Sequence, residues 1–400
     1  MGTDTDPQTI KKVLGRGVEE IINKDNLAKQ LGLGKPLRFK FGIDPTAADL
    51  HLGHAVVLRK LRQFQELGHI AVLIIGDFTT LIGDPSGRTL ARPKLTTGQI
   101  KENMKDYIGQ AAQILDIKKA EIHYNSEWFG DKPMSFLMDL AGRFTVARLI
   151  EREDFQKRLE GGFDVSMLEL LYPLLQGYDS VACKADVELG GYDQRLNLLF
   201  GRKVLRAYGL AEQDIVTAPL LVGVDGGKKM SKSARNYIRL CEKPNKMFVQ
   251  LMALADAQIW NYLLLLTDMP ENEIKELESS VKTGKIHPRD AKMIMAQEVV
   301  ALYHNSNATE SAKKEFIRTT QENQLPSDIP TVEIKEPEIG LLDLLVASGV
   351  TDSTSAARRL VAQKSVIIDG VVQDNVKQII MPKDGQLLKV GKKRFYRLSK

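Results

Sequence analysis

Phe41-Gly-Ile-Asp-Pro-Thr-Ala-Ala-Asp-Leu-His-Leu-Gly-His54 lies between a run that reads as a strand and a run that reads as a helix. Before it, Leu37-Arg-Phe-Lys-Phe-Gly-Ile43 alternates and is rich in aromatic and branched residues. After it, the run from His54 to Leu67 places Leu58, Leu61 and Phe64 at helical spacing and stops at Gly68. Strand, tight loop and helix together aim unpaired backbone N–H groups and a positive dipole end at an anion. His51 and His54 share one face of the first turn, and Gly53 between them allows close approach to the backbone. A helix cap or a core position accounts for two histidines equally well.

Outward from this stretch, strand-like runs alternate with helical patterns from about residue 37 to 225, which predicts a parallel α/β sheet. Ala71-Val-Leu-Ile-Ile75 is continuously apolar, as expected of a strand buried on both faces. Ligands of such sheets sit beyond the carboxyl ends of the strands, where Gly76-Asp77 falls. Residues 1–36 read as one or two helices with glycine-rich turns. From 245 to 325 helices replace strands, and the run from His287 to His304 reads as one helix opened by Pro288 and Asp290. Residues 326–337 are proline-dotted and read as a linker. Beyond them, Gly340–Gly349 and Ser353–Gln363 form two short amphipathic helices, followed by strands with Asp369-Gly370 as a hairpin turn.

Composition narrows the class. At 43% hydrophobic and 27% charged residues the chain is ordinary globular protein. The longest apolar run, Tyr262 to Thr267, is far too short to span a membrane. The first residues show neither a signal nor a transit pattern. Cys183 and Cys241 have no metal-ligand spacing, which points to a reducing compartment and away from zinc. A cytoplasmic enzyme is expected. Of 56 Lys/Arg and 51 Asp/Glu, residues 337–400 hold 11 and 6, so the preceding 336 residues carry 45 of each sign. A basic module beside a neutral body predicts a polyanionic partner, RNA above all.

Lys229-Met-Ser-Lys-Ser233, on a glycine-flanked loop expected to be mobile, matches the second signature of the class I aminoacyl-tRNA synthetases. His51-Leu-Gly-His54 resembles their first. The resemblance implies a Rossmann-like parallel-sheet catalytic domain over residues 1–236, including a dimer-forming insertion at about 130–160 and the signature loop 225–236. It implies an all-helical anticodon-binding domain at 237–325, the linker at 326–337, and a small α+β S-four-type RNA-binding domain at 338–400. The chemistry implied joins an amino-acid carboxylate to the α-phosphate of ATP and then passes the aminoacyl group to tRNA. That nucleophile is already ionised, so the protein's work is positioning and stabilising phosphate charge. His51 and Thr46 are assigned to the triphosphate and His54 to the ribose and α-phosphate. Lys229 and Lys232, with Ser233 counted beside them, are assigned to the departing pyrophosphate.

Three further stretches bear on the amino acid. Ser166-Met-Leu-Glu169 is a capping box, and on the helix it opens Tyr172, Gln176 and Asp179 share a face. Leu81-Ile-Gly-Asp-Pro-Ser-Gly-Arg88 puts Asp84 in a tight turn, although a bare turn explains the same letters. Gly190-Gly-Tyr-Asp-Gln194 follows an apparent strand. Together these resemble the tyrosyl-tRNA synthetase family over essentially the whole chain. By that resemblance Tyr172, Gln176 and Asp84 hold the tyrosine ammonium, and Asp179 accepts from the phenol. Gly42, Asp44, Gly191 and Asp193 contact the adenosine side, Gln194 the carboxylate region, and Arg88 and Arg92 the leaving phosphates. Arg358, Arg359, Lys392, Lys393 and Arg394 are the RNA-binding candidates.

The chain departs from much of the family at Lys40, where a strand tyrosine is usual; this places it in the longer, bacterial-type branch. Either Lys40 donates to the phenol oxygen and balances Asp179, or it reaches solvent and Asp179 acts alone. The resemblance further implies ATP with Mg2+, tRNA(Tyr), a homodimer and no membrane. A tryptophanyl-tRNA synthetase and a non-catalytic RNA-binding paralogue are the other readings. The first lacks the terminal module and has no use for a phenol-directed carboxylate. The second does not explain why each motif position holds a competent residue.

Overall fold

The computed structural model describes residues 2–86, 95–320, 324–325, 329–391 and 394–400. Two compact units divide the chain, Met1–Ala312 and Lys313–Lys400. In the first, six strands form one sheet: β1 (Glu20–Ile22), β2 (Arg38–Ile43), β3 (Ile70–Ile75), β4 (Glu121–Tyr124), β5 (Val187–Gly191) and β6 (Asp214–Ala218). Their order is β1-β6-β5-β2-β3-β4, parallel throughout except for the antiparallel edge pair of β1 with β6. The expected parallel α/β sheet is therefore present. The short strand β1 replaces part of what reads as helix and turn near the N-terminus; three residues are too few to show a period.

The chain passes from β2 outward to β3 and β4, then returns to β5 and β6 on the other side of β2. The reversal leaves a crevice at the carboxyl ends of β2 and β5, the place where open α/β sheets bind ligands. β3 is buried along nearly its whole length, as a strand covered on both faces must be. On one face the helix Leu52–Glu66 packs, with Phe39 of β2 stacked on Phe64 at 4.0 Å. The helix Met167–Cys183 closes the other side of the crevice; it starts with the expected capping box, Ser166 and Glu169 each bonding the other's backbone N–H.

Four helices, Ser126–Phe129, Met134–Gly142, Val146–Ile150 and Glu153–Glu160, fill the segment between β4 and that helix. They, the following turn and the first residue of the next helix leave Met134, Met138, Val146, Leu159, Phe163 and Met167 exposed. Helices also make up Pro244–Tyr303, including Pro288–Tyr303 where one helix is expected. They belong to the same compact unit as the sheet. One tie is Arg16, whose guanidinium donates to the carbonyls of Leu264, Thr267 and Met269 at 3.2, 2.8 and 2.7 Å, capping the end of helix Ile259–Leu266. Compactness breaks the chain at 312/313. Among the described residues no single helix is long and apolar enough to cross a membrane.

In the second unit, helices Leu341–Ala347 and Thr354–Ala362 lie where the amphipathic patterns place them. The strands Val366–Ile368 and Val371–Val372 pair across Asp369-Gly370, both at positive φ (46° and 85°), the geometry a two-residue hairpin demands. The expected linker is not all irregular: Thr331–Glu333 is a strand, parallel to Arg397–Ser399 at the edge of a five-stranded sheet. Three residues among prolines carry no periodic signal, and their pairing partner lies at the far end of the chain.

Candidate active site

The first signature is built by its own hydrogen bonds. His51 is the N-cap of helix Leu52–Glu66 and its Nδ1 accepts from Gly53 N at 3.2 Å. His54 Nδ1 in turn accepts from His51 N at 3.2 Å. The cap and the functional readings of the two histidines thus coincide. Each backbone bond assigns the ring proton to Nε2, so each imidazole presents an N–H donor. Burial, with Lys232 and Lys229 nearby, pushes His51 down to about 3. Burial also holds His54 well below the usual range. Both rings are neutral at any working pH. A Cβ on Gly53 would lie 3.0 Å from the His51 ring, so this glycine makes room for the histidine itself.

A cavity of about 290 Å³ opens beside this turn, at the reversal of the sheet. Gly42, Asp44 and Thr46 line it from the end of β2, and Gly191, Asp193 and Gln194 from the end of β5. Asp84, Tyr172, Gln176, Asp179, His51, His54, Lys229 and Ser233 complete the part foreseen from sequence. Asp44 is fixed from two sides, by Thr79 Oγ1 at 2.9 Å and by the Tyr172 hydroxyl at 3.0 Å. Gly76 at the end of β3 is required here, since a Cβ would fall 2.1 Å from Asp44 Oδ1. Asp84 accepts from Gln194 Nε2 at 2.9 Å and Asn197 Nδ2 at 3.3 Å. Arg88 and Arg92 lie outside the described residues.

Asp179 is the most deeply held acid of the cavity. Trp128 Nε1 donates to one oxygen at 2.9 Å and Asn125 Nδ2 approaches the other at 3.4 Å. Burial is the main cause that pushes its carboxyl up to about 7, against the opposing pull of Lys40, Trp128 and Asn125. Gln176 donates through Nε2 to Glu188 at 3.3 Å, while its Oε1 is buried without a hydrogen-bond partner among the described residues. An unpaired buried acceptor on a cavity wall is a place for a ligand's cation or N–H.

Lys40 departs from both expected alternatives. Its ammonium is buried, bonded to Glu188 at 2.7 Å, Ser180 Oγ at 2.7 Å and the Gln176 carbonyl at 3.1 Å. Three N–H bonds have three acceptors, so Lys40 neither reaches solvent nor has a proton left for a phenol. Its charge partner is Glu188, not Asp179, because β2 and β5 run in parallel register with Lys40 opposite Glu188.

The signature loop is folded around Asn236, whose side chain accepts from Ser231 N at 2.8 Å and donates to Asp225 at 3.0 Å. From it Lys229 reaches Asp193 at 2.6 Å. Lys232 does not line the cavity wall; its Nζ lies 3.1 Å from both the Ala47 carbonyl and the Tyr107 hydroxyl. Thr79, Asn125, Trp128, Glu188, Tyr107 and Asn236 all went unforeseen. Asn125 follows directly on β4, so the rule that functional groups gather after strand ends could have flagged it.

Two neutral imidazole donors at a helix start, with two lysines on a separate loop, form an arrangement able to hold a polyphosphate while leaving an ionised carboxylate free to attack it. That is the chemistry of the class I aminoacyl-tRNA synthetases. The family model for class I tRNA synthetases (W and Y) matches residues 33–321, and that for the tyrosine–tRNA ligase SYY-like C-terminal domain matches residues 321–398. Tyrosine–tRNA ligase of Thermotoga maritima is 46% identical over 98% of both chains. That of Moorella thermoacetica is 45% identical over 97% of this chain and 95% of its own. The fold is that of the Archaeoglobus fulgidus tyrosyl-tRNA synthetase solved with L-tyrosine, at TM-score 0.62 and 21% identity, covering 77% of this chain and all (100%) of that one. The chain belongs to the tyrosine–tRNA ligase family, and the family reaction, tyrosine activation with ATP and transfer to tRNA, is its reaction.

Proposed function

We propose that the cavity at the ends of β2 and β5 is where this chain forms tyrosyl-adenylate, with the phenol against Asp179 and the nucleotide toward His51 and His54. The observation that carries this is the convergence of Tyr172, Gln176 and Asp179, one helical face, on the same cavity as the two histidines. The tyrosine ammonium is met by the orphaned Gln176 oxygen and by the Tyr172 and Asp84 pair of polar walls. Gly42, Asp44, Gly191 and Asp193 take the adenosine side, and Gln194 the carboxylate region. Thr46, His51, Lys229, Lys232, Ser233, Arg88 and Arg92 act on the triphosphate. Magnesium enters with ATP as the nucleotide's counter-ion, and no zinc is involved.

The tyrosine carboxylate attacks the α-phosphorus, the bond to the bridging oxygen breaks, and pyrophosphate leaves. No proton need be removed from the nucleophile. Nε2–H donors of His51 and His54 meet negative charge that grows on the phosphates, and being neutral they need shed no proton first. Gln176→Leu tests the amino-acid end. It removes a hydrogen bond to a charged group, so KM for tyrosine in ATP–pyrophosphate exchange should rise about tenfold or more, with KM for ATP unchanged. An unchanged tyrosine KM rules out this placement of the ammonium.

The domains divide by task as the sequence places them, with residues 237–325 reading the anticodon and 338–400 another part of the tRNA. Arg358 and Arg359 are exposed on helix Thr354–Ala362, and Arg394 is exposed while bonding the Val350 carbonyl. Lys392 and Lys393 lie outside the described residues. A tRNA affinity indifferent to salt would speak against this basic contact. The enzyme works as a cytoplasmic homodimer. Support for the dimer is the exposed apolar set Met134, Met138, Val146, Leu159, Phe163 and Met167 on the helical insertion, a concentration that water-facing surfaces avoid. Sedimentation of the intact chain should give twice the monomer mass, and Met138→Glu should shift it toward the monomer. A monomer at assay concentration removes the proposal.

A further inference from the structure

We propose that the buried Lys40–Glu188 pair is a positioning and specificity device for the phenol end of the tyrosine pocket, although neither residue touches the substrate. The inference rests on the assignment of Asp179 to the phenol. Both side chains are about 1% exposed, and both are fully engaged. Glu188 takes Lys40 and Gln176 Nε2 on one oxygen, and Ser180 Oγ at 3.4 Å and Gln213 Nε2 on the other. Lys40 takes Glu188, Ser180 Oγ and the Gln176 carbonyl.

The pair therefore grips one turn of helix Met167–Cys183 by Gln176 and Ser180, and Asp179 lies on that same turn. Glu188 also sets the roll of the Gln176 amide: Nε2 is held by the carboxylate, so Oε1 remains as the acceptor. A buried ion pair seldom stabilises a fold more than apolar side chains of equal volume would. Placing one directly under the specificity turn calls for a reason other than stability. Charge supplies it. The groups acting on Asp179 are Lys40 from β2, Glu188 from β5, and the neutral Trp128 and Asn125. Cys183 on its own helix is a buried thiol pushed up to about 12 and stays neutral, and His123 stands behind Trp128. Among the described residues Lys40 is the cation of this group. It favours the ionised Asp179 that accepts from a phenol, and Glu188 offsets it in part.

Two single variants of the full chain separate this from a merely structural role, because they displace Asp179 in opposite directions. ATP–pyrophosphate exchange is followed with tyrosine and with phenylalanine between about pH 5.5 and 9. Lys40→Met removes the cation, so the acid limb of kcat/KM for tyrosine should move up by roughly one pH unit, and selectivity over phenylalanine should fall about tenfold near neutrality. Glu188→Gln leaves Lys40 facing Asp179 alone, so the limb should move down. KM for ATP stays constant in both. Should a single variant fail to fold, Lys40→Met/Glu188→Met removes both charges and retains bulk. Its limb should still move up, since Lys40 acts on Asp179 more strongly than Glu188 does. Limbs that stay in place, or move together while tyrosine and phenylalanine rates fall in parallel, overturn the inference. Asp179→Asn is the reference. If it keeps the parent's limb and selectivity, the phenol assignment itself fails and the inference with it; if it loses them while the pair variants do not, only the inference fails.

Discussion

Replacing Asp179 by asparagine is expected to lower kcat/KM for tyrosine about 10²–10³-fold while leaving the slow use of phenylalanine nearly unchanged. The substitution is isosteric, so volume is not the cause. Trp128 Nε1 and Asn125 Nδ2 both donate to this side chain, one to each oxygen. Asn125 cannot turn its amide round, because its Oδ1 accepts from Phe78 N at 2.9 Å and its Nδ2 also serves Thr79 at 3.0 Å. Only an acceptor at both positions satisfies the pair, and an asparagine sets its own NH₂ against one of the donors. The phenol then loses an ionised partner, whereas phenylalanine never had one. Discrimination in tyrosyl-tRNA synthetases is about 10⁵ as a general value. It should shrink by the same factor that tyrosine loses. The pH profile offers a second readout. In the parent enzyme kcat/KM for tyrosine should fall as pH drops through about 7, where Asp179 takes up a proton, and that limb should vanish in the variant. Parallel ATP–pyrophosphate exchange with tyrosine and phenylalanine measures both. A variant that keeps the limb places the titrating group elsewhere.

How far this pocket can be read from the amino-acid sequence depends on how local each contact is. Tyr172, Gln176 and Asp179 are legible because one helix carries all three, and helical spacing fixes a shared face whatever surrounds it. The histidine turn is legible for the same reason, its caps being bonds between residues two and three apart. Trp128 and Asn125 are not, since they arrive at Asp179 from just beyond β4, a four-residue strand half-buried throughout, with no alternation to announce it. Lys40 shows the limit most clearly. Alternation correctly puts it on the pocket side of β2, yet its partner depends on which strand lies next to β2 and in which register. That neighbour is β5, which comes far later in the chain, and nothing local to Lys40 encodes the pairing. The stretch Thr331–Glu333 reads as linker for a like reason, as its strand character comes from Arg397–Ser399.

Lys232→Ala should reduce the rate of adenylate formation about 10²–10³-fold, the effect of removing one preorganised donor from a developing negative charge. In the structure its ammonium rests between the Ala47 carbonyl, on the loop that joins β2 to the histidine turn, and the Tyr107 hydroxyl. Tyr107 is itself buried and donates to Ala47, so the two groups that hold the lysine are fixed to each other. A cation that gripped ATP equally in the ground state and the transition state would lower KM without raising kcat. Charge on the leaving pyrophosphate grows only as the bond to the α-phosphorus breaks, so the lysine's contribution should appear in kcat, with KM for tyrosine nearly constant. Lys229 is paired with Asp193 at 2.6 Å and must exchange that carboxylate for phosphate. Its alanine variant should therefore lose less than that of Lys232. Single-turnover formation of tyrosyl-adenylate distinguishes the two lysines. A Lys232→Ala enzyme with normal kcat and a raised KM for ATP would mean that the loop grips the nucleotide before reaction, and does not act on the bond as it breaks.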